Sequence, residues 1–350
     1  MKIPIPPVSS LARLRQLVAR SPAAVALAKR IYRSPLLQRT PVFRHFVRTR
    51  AARADAVVRA GAPPQLWIET VLTCNAKCTM CVHSERKMVG VMPMDLFRRL
   101  VDEAAAWGIG SVCLSIYGEP MVDKRWLERV QYVRAAGMSY NFFSNASMLT
   151  PELAAAMLEL GGWSEVNFSV NGFSKPVYEA VMPPLSRERV YGNIERFLAL
   201  RRAHRGEVPR VTVSCVTLAE NVHELPEYVR YWQPRVDRVS IADRTDWLGE
   251  LKKTDRAAPV RGRLRVRDDS QWQMPCPAPW HKLYVYADGR VAPCCEDAAL
   301  RQLILGNAND STLREIYHGP AYAALREQHL AERRGSHRIC GGCRVNWPWI

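Results

Sequence analysis

Two hydrophobic patterns alternate along the chain from residue 66 onward. Short runs rich in β-branched and large apolar residues are separated by longer segments in which apolar residues recur every three or four positions. The longer segments predict helices between the runs, at 94–106, 124–136, 151–160, 189–203 and 225–232. The short runs predict six strands, at 66–72, 111–116, 140–143, 165–170, 211–216 and 236–241.

This alternation of strands and helices is typical of an α/β fold with a parallel sheet. Six units are too few for a closed eight-fold barrel. Active sites of such folds lie at the carboxyl ends of the strands. We therefore look for the chemistry of this chain in the segments that follow each predicted strand.

The pattern changes after residue 242. Residues 243–275 are charged and weakly periodic, and we interpret them as a bridge. A hairpin is then predicted, with strands at 283–286 and 290–292 joined by Asp288-Gly289, a favoured turn pair. Helices are predicted at 312–317 and 321–331. The chain thus divides into an arm at 1–62, an α/β core at 63–242 and a C-terminal module at 243–350.

The arm is strongly basic and has short helical patterns. Residues 1–60 hold thirteen Lys and Arg against one acid, Asp55, whereas the whole chain has a net charge of +17. Three dipeptides are typical of an N-cap followed by proline at the first helical position: Ser21-Pro22, Ser34-Pro35 and Thr40-Pro41. Three interpretations stay open: an arm whose apolar side packs on the core, an arm that binds an anionic membrane surface or an acidic partner, and a transit peptide.

Composition narrows the class of protein. A chain of 350 residues can bury a large core, and no run of about 18 uncharged apolar residues predicts a membrane span. Ten cysteines at short, clustered spacings indicate metal ligands in a reducing compartment, so we expect a cytoplasmic protein. Because the positive charge is concentrated in the arm, a general nucleic-acid-binding surface is a poor explanation of the high pI.

The strongest chemical signal follows the first predicted strand. Cys74, Cys78 and Cys81 form a C-x3-C-x2-C run within one loop. Three thiolates this close can bind one metal centre, and a four-iron cluster held by three cysteines keeps one iron open for chemistry. Zinc with a fourth ligand, or ordinary buried thiols, are the alternatives.

At these residues the chain resembles the radical S-adenosylmethionine (SAM) superfamily. The resemblance implies that the three cysteines hold a [4Fe-4S] cluster whose open iron binds SAM. It also implies a partial (β/α)6 barrel and reductive cleavage of SAM to a 5′-deoxyadenosyl radical that takes hydrogen from a substrate. A reductant such as flavodoxin or ferredoxin is expected. Met80 stands where the family often has an aromatic residue.

Polar residues follow the next strands, as a SAM site at the strand ends requires. In the turn Gly118-Glu119-Pro120, glycine lets a ligand approach the backbone, proline fixes the turn, and the carboxylate could hold an ammonium group. The turn resembles the Gly-Glu-Pro motif of the family, which contacts the amino group of SAM. Small polar side chains suit a ribose or a carboxylate, although turn capping is an alternative. The remaining candidate SAM contacts are Ser144, Asn145, Ser169 and, beside the adenine, Leu218.

The C-terminal module contains a second group of cysteines. The predicted hairpin brings Cys276 near Cys294, and a C-x2-C pair joins Cys340 and Cys343; Cys295 could replace Cys294. Four thiolates form a closed site for an iron–sulfur cluster or for zinc. The module resembles the SPASM and twitch extensions of radical SAM enzymes. Because it has fewer cysteines than a full SPASM module, the resemblance implies one auxiliary [4Fe-4S] cluster.

Three functions remain to be compared. The first is a radical enzyme that oxidises or rearranges a small molecule, such as a sugar, an aminocyclitol or a lipid-linked group. The second is a maturase of a ribosomal peptide or protein, which we rank lower because residues 1–62 do not resemble a leader-binding module. The third is a non-catalytic, metal-stabilised binding protein. The catalytic acid, base or hydrogen donor is not identifiable from the sequence.

Overall fold

The computed structural model describes residues 35–38, 40–243, 274–297, 299 and 301–343. Six parallel strands lie in the order β6-β5-β4-β3-β2-β1 in one sheet. The parallel α/β prediction is therefore confirmed. Their bounds are β1 Gln65–Ile68, β2 Ser111–Cys113, β3 Ser139–Ser144, β4 Trp163–Ser169, β5 Arg210–Thr217 and β6 Arg238–Asp243.

Helices alternate with these strands as predicted, with one addition. The helices at 94–106 and 225–232 have the predicted bounds, whereas Lys175–Val181 was not predicted because its seven residues are too few to show a helical period. Ser174 caps this short helix by accepting from the Val177 backbone N–H. The core helices are α3 Met94–Ala106, α4 Trp126–Ala135, α5 Pro151–Leu160, α6 Lys175–Val181, α7 Arg187–Ala203 and α8 Leu225–Trp232.

The first strand is shorter than the predicted 66–72. After Ile68 the chain leaves the sheet, because the backbone N–H groups of Leu72 and Thr73 donate to Gly90 O instead of to a neighbouring strand. The apolar residues that follow β1 belong to the beginning of the cysteine loop. Periodicity could not distinguish them from the strand, since they are apolar in both settings.

The hairpin of the predicted C-terminal domain extends the core sheet, a pairing that the sequence analysis did not address. β7 (Lys282–Val285) pairs in parallel with β1, and β8 (Arg290–Ala292) and β9 (Gly306–Asn307) continue the sheet in antiparallel fashion. The nine strands have the order β6-β5-β4-β3-β2-β1-β7-β8-β9, so the sheet does not close into a barrel within the described residues. The module's helices are α9 Ala278–His281, α10 Leu313–His318, α11 Pro320–Leu330 and α12 Arg338–Gly342.

Two helices precede the core, α1 (Pro35–Gln38) and α2 (Pro41–Arg59). Phe43 and Val47, on one side of α2, are buried in the main core. α2 packs against α9 and α11, and Trp280 Nε1 donates to Asp55 Oδ1 over 3.1 Å. The second half of the predicted arm is thus part of the folded body. The Ser21-Pro22 helix start predicted for the first half lies outside the described residues.

The sheet has two chemically different faces. Leu66 and Ile68 of β1 are buried in the core shared with the helices. Trp67, between them, points to the opposite face, which we call the inner face. No helix in the described part of the chain is long and apolar enough to span a membrane.

Candidate active site

The loop that carries Cys74, Cys78 and Cys81 lies at the carboxyl end of β1 and is held by other segments. Lys77 N donates to Pro183 O over 2.6 Å, and Thr79 N donates to Val181 O over 2.9 Å. Val181 is the last residue of α6, and Pro183 lies two residues beyond it. These bonds fix the backbone between the cysteines, so the three thiols keep their places without relying on a metal.

The thiols of this loop are buried enough to be neutral in the metal-free protein. Burial raises the pKa of Cys74 to about 12 and raises the pKa values of Cys78 and Cys81 above their usual range. The other two thiols raise the pKa of Cys78 further. Iron binding therefore has to displace protons from all three, as is general for thiolate ligands. Met80, also buried, packs in the main core.

Gly118 is required by the packing of two backbones. A Cβ at this position would lie 2.3 Å from Val71 O and 2.7 Å from Thr73 O, and Glu119 N donates to Thr73 O over 3.1 Å. The turn after β2 therefore lies directly against the start of the cysteine loop. The close approach seen here is that of the protein's own backbone, and the expected approach of a ligand stays a prediction.

The carboxylate of Glu119 is buried and bonded to the protein. Its Oε1 accepts from Ser144 Oγ over 2.9 Å, and its Oε2 accepts from Asn145 N over 2.6 Å. Burial raises the pKa of Glu119 to about 7, although these donors act in the opposite direction. The side chain joins the ends of β2 and β3. Its expected contact with a ligand ammonium group stays a prediction.

The other candidate SAM contacts lie along the same edge of the sheet. Ser144 and Asn145 are buried, and Asn145 Nδ2 donates to Oδ1 of Asn75 over 2.9 Å, which joins them to the cysteine loop. Asn75 was missed in the sequence, where nothing distinguishes it from a loop asparagine. Ser169, at the end of β4, is half-buried, whereas Leu218, just after β5, is buried.

The second group of cysteines lines a single pocket in the C-terminal module. Cys276 precedes α9, Cys294 follows β8, and Cys340 and Cys343 come from α12 and its end. Cys295 does not line this pocket; it packs on the inner face with Tyr284. The remaining lining residues are Ala278, Pro279, Pro293, Glu296, Leu325, His329, Arg334 and Ile339.

Two basic side chains of this pocket were not identified from the sequence. Arg334 is 5% exposed and His329 is 1% exposed. Burial alone would lower the pKa of Arg334, yet the thiols of the pocket raise it above its usual value. His329 Nδ1 accepts from Cys276 N over 3.1 Å, and burial lowers its pKa to about 3, so the imidazole is neutral. The pocket thus has one buried positive charge beside four thiols.

The spacing of the side chains bears on which metal fits. In the described parts of the chain, no three His, Cys, Asp or Glu side chains are close enough to hold a single metal ion. Tetrahedral zinc needs sulfur atoms about 4 Å apart, because each Zn–S bond is about 2.3 Å long. In a four-iron cluster each cysteine binds a different iron, so the sulfurs stand further apart. Three thiols in one loop and four thiols around one pocket are donor sets that fit a four-iron cluster.

An aromatic surface connects the two cysteine groups across the inner face. Trp67 stacks on Phe143 and on Tyr284, with ring centroids 5.8 and 5.0 Å apart. Tyr117 packs against two apolar clusters, one shared with Cys81 and the other shared with Cys295, the neighbour of Cys294. Tyr117 precedes the Gly-Glu-Pro turn, but no sequence pattern indicated that it lies near both groups.

Models of two protein families match the chain. That of the radical SAM superfamily matches residues 68–231, and that of an iron–sulfur cluster-binding domain, SPASM, matches residues 276–344. The two matches include both cysteine groups described above. The first match lies within the α/β core and the second within the C-terminal module.

Curated relatives share about a quarter of their residues with the chain. A Pyrococcus furiosus protein named tungsten-containing aldehyde ferredoxin oxidoreductase cofactor-modifying protein is 27% identical over 47% of this chain and 47% of its own length, so the match spans about half of that relative. The AdoMet-dependent heme synthase of Methanosarcina barkeri is 23% identical over 83% of this chain and 93% of its own. The PqqA peptide cyclase of Gluconobacter oxydans is 24% identical over 81% and 86%.

Solved structures have the same fold at lower identity. Streptococcus suis SuiB bound to precursor peptide SuiA has a TM-score of 0.61 and 15% identity, over 79% of this chain and 70% of that one. BtrN in complex with AdoMet and 2-DOIA has a TM-score of 0.52 and 18% identity, over 81% and 93%. These similarities show the arrangement of the core and the module, and at such identities they show nothing more.

Proposed function

The chain belongs to the radical SAM superfamily and carries a SPASM-type iron–sulfur domain, and on this premise we propose that it modifies a peptide by hydrogen-atom abstraction. It is an enzyme that uses SAM and [4Fe-4S] clusters. The peptide substrate, the ligand residues and the path between the clusters are the parts that we propose.

We assign the SAM-binding cluster to Cys74, Cys78 and Cys81. When bound there, the cluster and SAM supply the 5′-deoxyadenosyl radical that takes a hydrogen atom from the substrate. The loop provides three thiols and no fourth cysteine, and the carbonyls of Val181 and Pro183 fix its backbone. A fixed loop keeps the open iron in one position relative to the strand ends, as a precise site requires.

SAM is proposed to lie along the carboxyl edge of the sheet, over the turn Gly118-Glu119-Pro120. The Glu119 carboxylate supports the site by orienting Ser144 and Asn145. The side chain of Asn145 in turn donates to Asn75 in the cysteine loop. Ser169 provides a half-buried hydroxyl on β4. The apolar side chain of Leu218 remains our proposal for one side of the adenine.

The auxiliary cluster is proposed to bind to Cys276, Cys294, Cys340 and Cys343. This assignment is supported because these four thiols line one pocket, whereas Cys295 packs on the inner face of the sheet. Four protein ligands leave no iron open, which suits electron transfer better than substrate binding. A small electron-transfer protein such as flavodoxin or ferredoxin is proposed as the reductant.

One observation supports a shared substrate site most directly: Tyr117 packs against two apolar clusters, one shared with Cys81 of the first group and the other shared with Cys295 beside the second. A substrate on the inner face near Tyr117 would contact the surroundings of both clusters. The sheet is open between β6 and β9 in the described residues, which leaves room for an extended chain. Half-buried Trp67 and the exposed ring of Phe143, which stack on each other, provide an aromatic surface for it.

The comparisons change the order of the substrate classes. We ranked a small molecule first, but relatives named as acting on peptides, such as PqqA peptide cyclase, support the peptide class better. That similarity includes the C-terminal module, since it extends over 81% of the chain. A small molecule remains the second candidate, because the heme synthase aligns over 93% of its own length.

The substrate class can be tested without knowing the substrate. The full-length chain is reconstituted anaerobically with iron and sulfide, reduced, and given SAM together with a heat-clarified cell extract. We expect the extract to increase 5′-deoxyadenosine formation severalfold. Digestion of the extract with a protease, followed by protease inactivation, should remove the increase because the substrate is a peptide.

The triple change of Cys74, Cys78 and Cys81 to Ala is the control. It should form no 5′-deoxyadenosine with or without extract, since SAM cleavage needs the first cluster. An increase that survives the protease would contradict the peptide class and support a small molecule. Undiminished SAM cleavage in the triple variant would contradict the ligand assignment itself.

A further inference from the structure

One side of the helix α2 is buried in the core. Phe43, Val47, Ala51 and Val58 are almost fully buried on this side. They belong to the same core as Leu283 on the helix-facing side of β7. α2 therefore lies behind the sheet, on the side opposite the inner face. Anything bound to its outer side leaves the proposed substrate site accessible.

The outer side of α2 combines exposed apolar residues with arginines. Val42 is 77% exposed, Val57 56% and Phe46 36%, and Arg53 is exposed between them. Because each helical residue advances by about 100°, these four positions fall within about 60° of one another. The guanidinium of Arg50 lies 5.4 Å from the Phe46 ring. Single exposed apolar residues are ordinary, but three on one side of one helix, here called the strip, with arginines between and beside them, indicate a binding surface.

Two arginines, Arg50 and Arg53, lie on or beside this side of the helix. Arg48, on another side, is bonded to Glu332. In the sequence as a whole, residues 1–60 hold thirteen Lys and Arg against one acid, Asp55. Asp55 does not face the outer side, because it is bonded to Arg59 and Trp280. The surface therefore attracts anions and has three apolar side chains that gain free energy on leaving water.

We propose that the outer side of α2 docks on an anionic lipid surface, with Val42, Phe46 and Val57 entering the boundary between headgroups and acyl chains. Helices with this combination lie in the membrane interface, where apolar burial and attraction to anionic headgroups act together. A nucleic acid or an acidic protein would engage the arginines but would leave the valines in water. The lipid surface uses both features, so it is the partner that we choose. The proposal does not depend on the substrate or on either cluster.

The test measures binding of the full-length protein to vesicles by co-sedimentation. Vesicles of equal parts phosphatidylglycerol and phosphatidylcholine are compared with vesicles of phosphatidylcholine alone. We expect binding to the anionic vesicles only, weakening as salt is added. The apolar variant Phe46→Ser/Val57→Ser should bind about tenfold or more weakly, because it loses two apolar anchors.

A matched control changes exposed valines elsewhere. Val89 is 61% exposed and Val208 37%, so Val89→Ser/Val208→Ser removes similar apolar area without touching α2 and should bind like the wild type. Circular dichroism and 5′-deoxyadenosine formation without substrate should be the same in all variants, which shows that they are folded.

Three results would overturn the proposal. One is a wild-type protein that does not bind the anionic vesicles. Another is an apolar variant that binds as well as the wild type, while Arg50→Gln/Arg53→Gln binds less; the surface would then serve an acidic macromolecule. The third is an apolar variant that keeps vesicle binding but changes the oligomeric state, which would make the strip an interface between copies of this chain.

Discussion

The two cysteine groups are built in opposite ways. The first is contained in one loop, from Cys74 to Cys81, whereas the second gathers residues from Cys276 to Cys343 around a pocket. The first has a buried carboxylate, Glu119, close by, and the second has a buried guanidinium, Arg334.

This difference suits two different tasks. If a cluster is held by Cys74, Cys78 and Cys81, three protein ligands would leave one iron open for SAM. If a cluster is held by the four thiols beside Arg334, no iron would stay open, and the positive charge would favour its reduced, more negative state. On the proposed ligand assignment, the first group would donate electrons and the second would accept them.

The largest expected effect comes from Gly118→Ala, which tests whether the first loop depends on its neighbouring turn. The new Cβ would lie 2.3 Å from Val71 O, so the loop or the turn must shift. We expect iron to fall from about eight to about four per chain, and SAM cleavage to be lost. Iron analysis and 5′-deoxyadenosine assays measure both.

Gly110→Ala is the matched control for that change. Gly110 lies just before β2, and an added Cβ there would meet no atom within 4 Å. It should keep about eight irons and full SAM cleavage. If Gly118→Ala also kept its full iron content and its SAM cleavage, the contact between the turn and the loop would not determine the geometry of the first cluster.

An intermediate effect is expected from Cys340→Ala/Cys343→Ala, which tests whether the two groups are separable. Iron should fall to about four per chain while SAM cleavage in the absence of substrate persists, because the first loop is untouched. Cys295→Ala should keep about eight irons, since Cys295 does not line the pocket. Equal loss of iron in Cys294→Ala and Cys295→Ala would show that the pocket does not select between these neighbours.

The smallest effect is expected from Arg334→Gln, which tests the electrostatic half of the comparison. Removing a buried positive charge should lower the reduction potential of the auxiliary cluster by something on the order of tens of millivolts, because the reduced state loses its stabilisation. The first cluster should be unchanged. Redox titration followed by electron paramagnetic resonance separates the two signals.

Arg333→Gln is the control for this potential. Arg333 is the neighbour of Arg334 in the sequence but is exposed and does not line the pocket. Its replacement should leave both potentials where they are, because solvent screens an exposed charge. Equal shifts of the reduction potential in the two variants would mean that net charge, and not the position of Arg334, causes the effect.

Much of the fold was determined by local sequence patterns. The helix Met94–Ala106 and the hairpin turn at Asp288-Gly289 were predictable because a helical period and a turn pair are properties of neighbouring residues. The three-cysteine loop was predictable for the same reason, since all its ligands lie within one short segment. The same patterns, however, could not show where β1 ends.

The tertiary structure alone decided what brings distant residues together. The pairing of β7 with β1, the presence of Arg334 beside the four thiols, and the position of Tyr117 between the two groups depend on contacts between segments far apart in the chain. Gly118 shows the same limit on a smaller scale. The Gly-Glu-Pro motif was visible in the sequence. The reason that a glycine is needed there is the nearby backbone of residues 71 to 73, which is seen only in the folded chain. A sequence pattern reports neighbours along the chain, whereas a site is made of neighbours in space.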